Sequence, residues 1–321
     1  MIQKQPIETL FTAMFHSKRD FADFAFAPVE DNFRRHAFST GRKLRGILSP
    51  NDKLKSYHTF LRLFLFDFIP VNTEVVFSYR KGSSAYDAVI RHAHSKHFFL
   101  CDIQDFFASL KRARVKKTIL AGKDYCPILD LEPWLERILD LVCVDGAIPM
   151  GFSTSPAISN AVLLPFDNAF QRHSQTRGLI YTRYSDDIVV SGKELTALKS
   201  IDESLLSILV ETFASELKLH PGKSKFLHVG SKVKLLGMVL LPNGTVSVDA
   251  TVKSEIEVLI HFYLNDRARF ESLVGDGDHK AEARLAGLLN YVNTVDRAYL
   301  DKLRKKFGAA VVDLFLHRSF G

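Results

Sequence analysis

The sequence predicts an α+β fold in which a mixed segment of helices and strands precedes a helical one. Two strand-turn-strand patterns support this prediction: residues 178–192, with Ile, Val and Tyr on both flanks, and residues 232–248, with an Asn243-Gly244 turn. Beyond these strands, apolar residues recur at helical spacing, with a linker at 275–278. The change of pattern places a boundary near residue 250.

Length and composition are those of a globular chain. Its 321 residues, 46% of them hydrophobic, suffice for a sizeable core, and the net charge of +7 favours a polyanionic partner. The three cysteines lie too far apart to predict a disulfide framework or a zinc site, which fits a reducing cytoplasm. The first residues lack the apolar core of a signal peptide, and the most apolar run, 60–71, is broken by Arg62, Asp67 and Pro70. We therefore expect a cytoplasmic protein without a membrane span.

The N-terminal third combines helical and strand patterns with concentrated positive charge. Helical spacing predicts a lead-in helix within 1–31 and a buried helix over 54–68, and the segment 41–50 has the pattern of a strand. Residues 32–64 contain eight basic residues and a single acid, Asp52. This concentration of positive charge predicts either a phosphate-binding surface or a solvated one. They are Arg34, Arg35, Arg42, Lys43, Arg45, Lys53, Lys55 and Arg62.

Two further basic segments adjoin predicted helices. Arg80 and Lys81 precede a glycine, and Ser83 or Ser84 is placed to cap the helix that follows. Basic residues near a helix N-terminus favour phosphate contacts, which predicts nucleic-acid binding by Arg80 and Lys81. The run 111–117 predicts a basic helical face directed either at nucleic acid or at water.

Acidic residues stand where two predicted strands end. An apolar strand ends in Asp102, and the first predicted hairpin carries Asp186 and Asp187 at its tip, beside Arg183 and Ser185, which we also expect to be exposed. Adjacent carboxylates near hydrophobic strands repel each other unless a cation offsets them, and this favours Mg²⁺. The alternative is a solvated turn without a metal.

Two loops complete this pattern. Residues 146–156 contain two glycines and two prolines and lead into a helix that we expect to have Ser155 as its cap and a kink near Pro165. A turn at 219–225 presents Lys223. Three carboxylates from neighbouring strands can hold two Mg²⁺ ions about 3.5–4 Å apart, the arrangement that nucleotidyl transfer requires.

In this order the motifs resemble those of the reverse transcriptases, in particular the bacterial retron, group II intron and phage-defence enzymes. The resemblance covers about residues 30–310. The matching segments are Arg45-Gly-Ile (fingers), Asp102-Ile-Gln-Asp-Phe-Phe-Ala-Ser (motif A), Met150-Gly-Phe-Ser-Thr-Ser-Pro-Ala-Ile-Ser-Asn (motif B), Tyr184-Ser-Asp-Asp (motif C), Pro221-Gly-Lys-Ser-Lys (motif D), Lys234-Leu-Leu-Gly-Met-Val (primer grip) and 288–308 (thumb).

The resemblance implies a right-hand polymerase fold, with fingers and palm built from an antiparallel sheet plus helices and with a helical thumb. The implied domains are an N-terminal extension with fingers over 1–100, a palm over 101–250 with fingers helices interleaved at about 111–150, and a thumb over 251–321. It also implies two Mg²⁺ ions as cofactors, with Mn²⁺ as a possible substitute.

The resemblance further implies roles for individual residues. Asp102, Asp186 and Asp187 would be catalytic and would bind metal together with Ile103. Phe107 would exclude the ribose 2′-hydroxyl, Arg45 would hold the triphosphate, and Lys223 would support the leaving pyrophosphate. Implied nucleotide contacts also include Lys43, Met150 and Gly151, and implied nucleic-acid contacts are Arg80, Lys81, Tyr184 and Gly237.

Two departures from the family pattern bear on function. Met150 stands where the family usually has Gln, which removes a hydrogen bond to the incoming sugar. Leu235-Leu-Gly237 stands where retron enzymes typically carry Val-Thr-Gly.

The predicted function is RNA-directed DNA synthesis from dNTPs, within a bacterial antiphage system that includes a non-coding RNA. The predicted partners are an RNA template, the DNA product, and an effector protein or a second copy of the chain. The alternatives are a template-independent or protein-primed deoxynucleotide polymerase, a retron enzyme that synthesises msDNA, and a non-catalytic RNA-binding regulator.

Overall fold

The computed structural model describes residues 3–40, 43–230, 232–274 and 280–317, with the backbone alone at 38–40, 43–45 and 317. The strands are β1 (Phe33–Thr40), β2 (Lys43–Pro50), β3 (His97–Asp102), β4 (Ile180–Tyr184), β5 (Asp187–Gly192), β6 (Lys225–His228), β7 (Val233–Leu235), β8 (Met238–Leu240) and β9 (Val246–Val248). The helices are α1 (Ile7–Phe15), α2 (Phe21–Phe26), α3 (Asp52–Leu61), α4 (Ala85–Ile90), α5 (Phe106–Ser109), α6 (Arg112–Gly122), α7 (Leu131–Val142), α8 (Ser155–Val162), α9 (Leu164–Thr176), α10 (Ile201–Phe213), α11 (Ala250–Asn265), α12 (Arg267–Ser272), α13 (Lys280–Val295), α14 (Arg297–Phe307) and α15 (Ala309–His317).

The chain divides into two compact units. The first comprises Met1–Ser83, Phe99–Val190 and Thr196–Lys225, and the second comprises Ser84–Phe98, Ser191–Leu195 and Phe226–Gly321. Division into fingers, palm and thumb stays a prediction.

An aromatic cluster anchors the N-terminal helices of the first unit. The ring centroid of Phe11 on α1 lies 4.7–5.9 Å from those of five other aromatic residues, among them Phe24 on α2 and both Tyr57 and Phe60 on α3. Each ring removes a large apolar area from water and adds edge or tilted ring contacts. The predicted helical lead-in is therefore confirmed. The predicted buried helix is also confirmed as α3, which a short π-helical stretch, Arg62–Phe66, extends.

Strands β4 and β5 form the predicted hairpin, joined by Ser185 and Asp186, and β5 lies between β4 and β3. Ile188 and Val190 of β5 are fully buried, so the apolar flanks lie inside the unit as expected. The prediction that Arg183 and Ser185 are exposed is wrong. Arg183 is fully buried and Ser185 is 8% exposed, because residues distant in sequence supply their hydrogen-bonding partners.

The predicted strand at 41–50 is confirmed over its described residues, 43–50, as β2, whose antiparallel partner is β1 in the register Phe33↔Pro50 to Thr40↔Lys43. The backbone N–H of Leu48 on β2 donates to the carbonyl of Met150 at 2.9 Å. This bond holds the β1–β2 hairpin against the loop that precedes α8. Position 42 of the basic segment lies outside the described residues.

Much of the basic face of α6 is paired with acids of its own unit. Arg112 pairs with Glu136 and Asp140, and Lys116 also pairs with Glu136 on the adjacent helix α7. Such pairs satisfy these cations without a nucleic-acid partner, and because solvent screens them they add little to stability.

The helix after the Gly/Pro loop begins one residue earlier than predicted. Thr154 is the residue before α8, and Ser155, the predicted cap, lies inside the helix, where its hydroxyl donates to the Pro149 carbonyl at 2.7 Å. The predicted break near Pro165 is confirmed, since α8 ends at Val162 and α9 begins at Leu164.

The second unit carries a three-stranded antiparallel sheet, β7-β8-β9, and helices α11 to α15. The predicted Asn243-Gly244 turn joins β8 to β9, and an additional turn at Leu236-Gly237 joins β7 to β8. Ser84 caps α4 through a capping box with Asp87. The linker at 275–278 lies outside the described residues. None of the described helices has both the length and the apolar character needed to cross a membrane.

Candidate active site

A cleft of about 940 Å³ opens in the first unit. Six residues that the sequence marked as site candidates line it: Asp102, Ile103, Phe107, Met150, Asp186 and Lys223. They come from four segments that are as far as 121 positions apart in sequence. Folding therefore assembles this constellation from separate parts of the chain.

Asp102 is held at the end of β3 by a short antiparallel contact with the segment before the lysine turn. Ile103 forms an isolated bridge with Leu219, and the backbone N–H of His220 donates to the Asp102 carbonyl at 2.8 Å. These contacts bring Lys223 to the carboxylate, where its ammonium nitrogen Nζ lies 2.5 Å from Asp102 Oδ2. The Asp102 side chain is 9% exposed and that of Lys223 is 47% exposed, so the pair has one buried and one open partner.

Asp186 is joined to the same strand end through the backbone. The N–H of Ile103 donates to the Asp186 carbonyl at 3.1 Å, which fixes the hairpin tip beside the end of β3. Burial raises the pKa of the Asp186 carboxyl, and the charge of Asp102 adds to this rise. The hairpin tip thus places the Asp186 carboxylate close enough to Asp102 for the two negative charges to repel each other.

Asp187 shows the same electrostatic effect more strongly. Desolvation raises its pKa to about 6, and the charges of Asp186 and Asp102 contribute further in the same direction. Lys223 opposes this rise. Asp187 is not among the cleft-lining residues, but the charges of both other carboxylates repel its own.

One wall of the cleft is aromatic and apolar. The half-buried ring of Phe107 lies 5.3 Å from Phe106 and 6.5 Å from Tyr79, measured between ring centroids. Met150 lies on the same cleft, and Gly151 follows it with a φ of +106°. A Cβ on Gly151 would lie 2.2 Å from the Leu48 carbonyl oxygen, so only glycine permits this close approach of backbones.

Other predicted site residues lie elsewhere. Arg80 donates to the carbonyls of Thr73 and Val76, so its guanidinium braces its own loop. Lys81 is exposed and Tyr184 is half-buried. Gly237 lies in the second unit, in a turn with a φ of +85°. The side chains of Lys43 and Arg45 lie outside the described residues.

The structure adds cleft residues that sequence reasoning did not single out. Tyr79 has a φ of +58°, and its hydroxyl is 2.9 Å from Ser185 Oγ. Arg35 forms a two-bond ion pair with Asp145 at the cleft. The basic pattern marked Arg35 as one of eight cations, but no local signal distinguished it from the other seven. His220 also lines the cleft, and its position beside Lys223 in the sequence was the signal that could have identified it.

The donor set fits a divalent cation by its chemistry. Carboxylate oxygens are the ligands that Mg²⁺ prefers. Desolvation is the main cause of the raised pKa of Asp186 and Asp187, and the charge of Asp102 adds to both, so the three carboxylates lie close enough to repel one another. Within the described part of the chain, no three His, Cys, Asp or Glu side chains already form a metal-binding group. The fit therefore depends on the charge and type of the three carboxylates.

Comparison with known proteins identifies the family. The family model for reverse transcriptase (RNA-dependent DNA polymerase) matches residues 39–240, which is more than half of the chain. The chain belongs to the reverse transcriptase family. The predicted enzyme class, an RNA-directed DNA polymerase, is confirmed by this match.

Among similar reverse transcriptases are two from retrons. The Retron Ec73 reverse transcriptase of Escherichia coli is 25% identical over 280 residues, covering 82% of this chain and 83% of the relative. The Retron Mx65 reverse transcriptase of Myxococcus xanthus is 27% identical over 280 residues, covering 82% of this chain and 61% of the relative. The predicted resemblance to bacterial retron enzymes is thus confirmed, although Leu235-Leu-Gly237 departs from their usual motif.

A solved structure supports the fold. The apo telomerase from Candida tropicalis aligns with a TM-score of 0.50 at 11% identity, covering 92% of this chain and 62% of that one. At this identity the likeness bears on the fold alone. The predicted α+β polymerase fold is confirmed.

Proposed function

We propose that this reverse transcriptase extends a DNA strand on an RNA template by using Asp102, Asp186 and Asp187 to hold two Mg²⁺ ions. The observation that carries the proposal is the bond from the Ile103 N–H to the Asp186 carbonyl, which holds the hairpin tip with Asp186 and Asp187 at the end of β3 that carries Asp102. Asp102 and Asp186 line the cleft, and in addition to desolvation the charges of both raise the pKa of Asp187. Such a concentration of negative charge is costly for the folded chain and becomes favourable when divalent cations bind. The backbone bond between the hairpin tip and the end of β3 supports a metal site over a solvated turn, the alternative that the sequence left open, because it brings carboxylates from two strands together.

Bound Mg²⁺ ions would activate the primer 3′-hydroxyl and neutralise the leaving pyrophosphate. The protein supplies position and charge. Lys223 places an ammonium group beside Asp102, where it can offset negative charge on pyrophosphate as that group leaves. The tie between His220 and Asp102 keeps this lysine turn at the strand end.

The nucleotide-binding part of the proposal involves the aromatic wall. Phe107 lines the cleft and would stand against the sugar, so a 2′-hydroxyl would meet its ring. Met150 and Gly151 would face the same nucleotide, with Gly151 allowing close approach of the backbone. Lys43 and Arg45 would hold the triphosphate from β2, and Arg80, Lys81, Tyr184 and Gly237 would contact nucleic acid.

The retron relatives support a biological role. Their names describe retron reverse transcriptases, and we infer that this chain likewise works with a structured non-coding RNA and serves antiphage defence, with an effector protein or a second copy as a further partner. A competing function is synthesis with little or no template. Met150 favours this candidate because a thioether cannot make the hydrogen bond that Gln would offer to the sugar.

Alanine substitutions test the catalytic assignment. We expect Asp186→Ala and Asp187→Ala each to lower Mg²⁺-dependent dNTP incorporation by at least about a thousandfold, because each removes a charge that would stabilise the transition state. Incorporation is measured with purified protein on a primed RNA template. Asp52→Ala is the matched control, since its side chain is 92% exposed on α3. Unchanged incorporation by Asp186→Ala would refute the mechanism.

A further inference from the structure

We infer that Arg183, Asn160 and Ser78 are positioning residues whose hydrogen-bonded ring fixes the turn that carries Asp186. The inference concerns side chains that do not line the cleft, and it rests on the proposed function of the carboxylates.

Arg183 is the centre of the ring. It is fully buried, and it donates through Nε and Nη2 to the two carboxylate oxygens of Asp167 on α9, at 2.8 and 2.7 Å. Tyr181, two residues earlier on the same face of β4, donates its hydroxyl to the same carboxylate at 2.7 Å. The guanidinium plane is therefore fixed by a two-point contact with a buried helix residue.

The third nitrogen of Arg183 acts on the turn. Nη1 donates to the Ser185 carbonyl at 3.0 Å and to Asn160 Oδ1 at 3.2 Å. Asn160 in turn donates through Nδ2 to the Ser78 carbonyl at 2.9 Å, and the Ser78 hydroxyl accepts from the Ser185 N–H at 2.7 Å. The four residues thus form a closed ring in which both backbone groups of Ser185 are bound.

The ring holds a backbone conformation that the sequence does not favour. Ser185 has a φ of +60°, in the left-handed region where a non-glycine residue costs on the order of 1 kcal/mol or more. Hydrogen bonds made by its N–H and by its carbonyl, and a third between its hydroxyl and that of Tyr79, offset this cost. Because Ser185 immediately precedes Asp186, its torsion angles set the direction in which that carboxylate leaves the hairpin.

A second connection joins the turn to the same segment. The N–H of Arg183 donates to the Val75 carbonyl at 2.8 Å, and the N–H of Phe77 donates to the Arg183 carbonyl at 3.0 Å. β4 is therefore bound along 75–77 by its backbone and at Ser78 through the ring. Displacement of this segment would move the turn with it.

The main effect of the ring is to fix the position of the turn at Ser185, and its contribution to the stability of the fold is smaller. A buried ion pair such as Arg183–Asp167 gains little net stability, since desolvation of both charges offsets most of their attraction. Directional bonds nevertheless limit the turn to one geometry. Loss of an uncharged ring member, Ser78 or Asn160, should therefore affect catalysis and metal binding more than it affects folding. Loss of Arg183 would instead leave Asp167 buried without a counter-charge and would destabilise the fold.

Ser78→Ala tests the inference because it removes the hydroxyl that accepts from Ser185 and leaves the Ser78 carbonyl in place. We expect about tenfold lower kcat and about tenfold weaker Mn²⁺ binding, measured by electron paramagnetic resonance during titration of the protein with Mn²⁺ alone. Ser56→Ala is the matched control, because the Ser56 hydroxyl also makes one hydrogen bond, to the Lys53 carbonyl, on a helix outside the ring. The melting temperatures of the two variants should agree within a few degrees.

A double-mutant cycle tests whether Asn160 and Ser78 act together through one ring or through independent contacts. If Asn160 and Ser78 act through one ring, Asn160→Ala combined with Ser78→Ala should lower kcat by much less than the product of the single effects. If Ser78→Ala and Ser56→Ala have the same kcat and the same Mn²⁺ affinity while Asp186→Ala is inactive, the inference about the ring is wrong and the proposed function stands. Full activity of Asp186→Ala would instead overturn the proposed function.

Discussion

Phe107 is the residue that we propose excludes ribonucleotides from this cleft. Its ring is half-buried, with its centroid 5.3 Å from that of Phe106 and 6.5 Å from that of Tyr79, so it has restricted freedom to move away from a bulkier sugar. Steric exclusion by a ring needs no hydrogen bond. It depends on how firmly the neighbouring residues hold that ring.

We therefore expect Phe107→Ala to increase the use of ribonucleotides relative to deoxyribonucleotides by about tenfold or more, corresponding to about 1.4 kcal/mol of lost discrimination. The measurement is the ratio of kcat/KM values for a matched dNTP and NTP. Phe26→Ala, at a ring that is 79% exposed, should leave the ratio unchanged. A ratio unaltered by Phe107→Ala would remove the gate assignment.

Helix α3 contains a buried titratable group. His58 is fully buried, its Nε2 lies 2.8 Å from the Leu141 carbonyl, and its ring centroid is 4.5 Å from that of Phe152. Burial lowers the pKa of His58 to about 4, and the bond to Leu141 only partly opposes this. The imidazole therefore stays neutral in the folded chain at pH values where it would be charged in the unfolded chain.

This difference predicts the pH dependence of stability. Since the folded pKa lies below the ordinary value of 6.5, the contribution of His58 is fully present above pH 6.5 and declines as the pH falls towards 4. From this group alone, we expect the free energy of unfolding to be about 1.4 kcal/mol lower at pH 5.5 than at pH 7.5.

Denaturant unfolding of His58→Gln at both pH values checks this prediction. The variant should lose about 1.4 kcal/mol less than the wild type between the two pH values, because glutamine carries no titrating group. His36→Gln, at an exposed position of β1, is the control. Equal pH dependence of wild type and His58→Gln would contradict the assignment.

For the molecule as a whole, membership of the reverse transcriptase family predicts that the chain copies RNA into DNA. We expect the DNA products to match the sequence of an added primed RNA and to be absent without any RNA, because base pairing in the cleft selects each dNTP. Sequencing the products made with and without added RNA checks this. Nuclease treatment of the purified protein controls for RNA that co-purifies. Products that match no RNA present would favour synthesis without a template, the alternative associated with Met150.

The local sequence pattern predicted the helices and strands of this molecule well wherever one residue type dominates a segment. The apolar strand ending at Asp102, the hairpin at 178–192 and the helices after residue 250 all follow from periodicity and turn residues. Strand β1 was missed because its basic residues mask its pairing with β2. Arg183 was misplaced because an arginine in a sequence gives no sign of a buried aspartate 16 positions away.

The sequence by itself determined the chemistry: the three carboxylates, the lysine turn, the glycine beside Met150 and the order in which they occur. Tertiary structure decided which of these meet and how they are held, including the contact between Lys223 and Asp102 and the ring around Ser185. The physical reason is that residue type fixes charge and hydrogen-bonding capacity, whereas distance and desolvation arise only when separate segments pack together. Those two quantities determine whether acidic residues remain solvated or form a metal site.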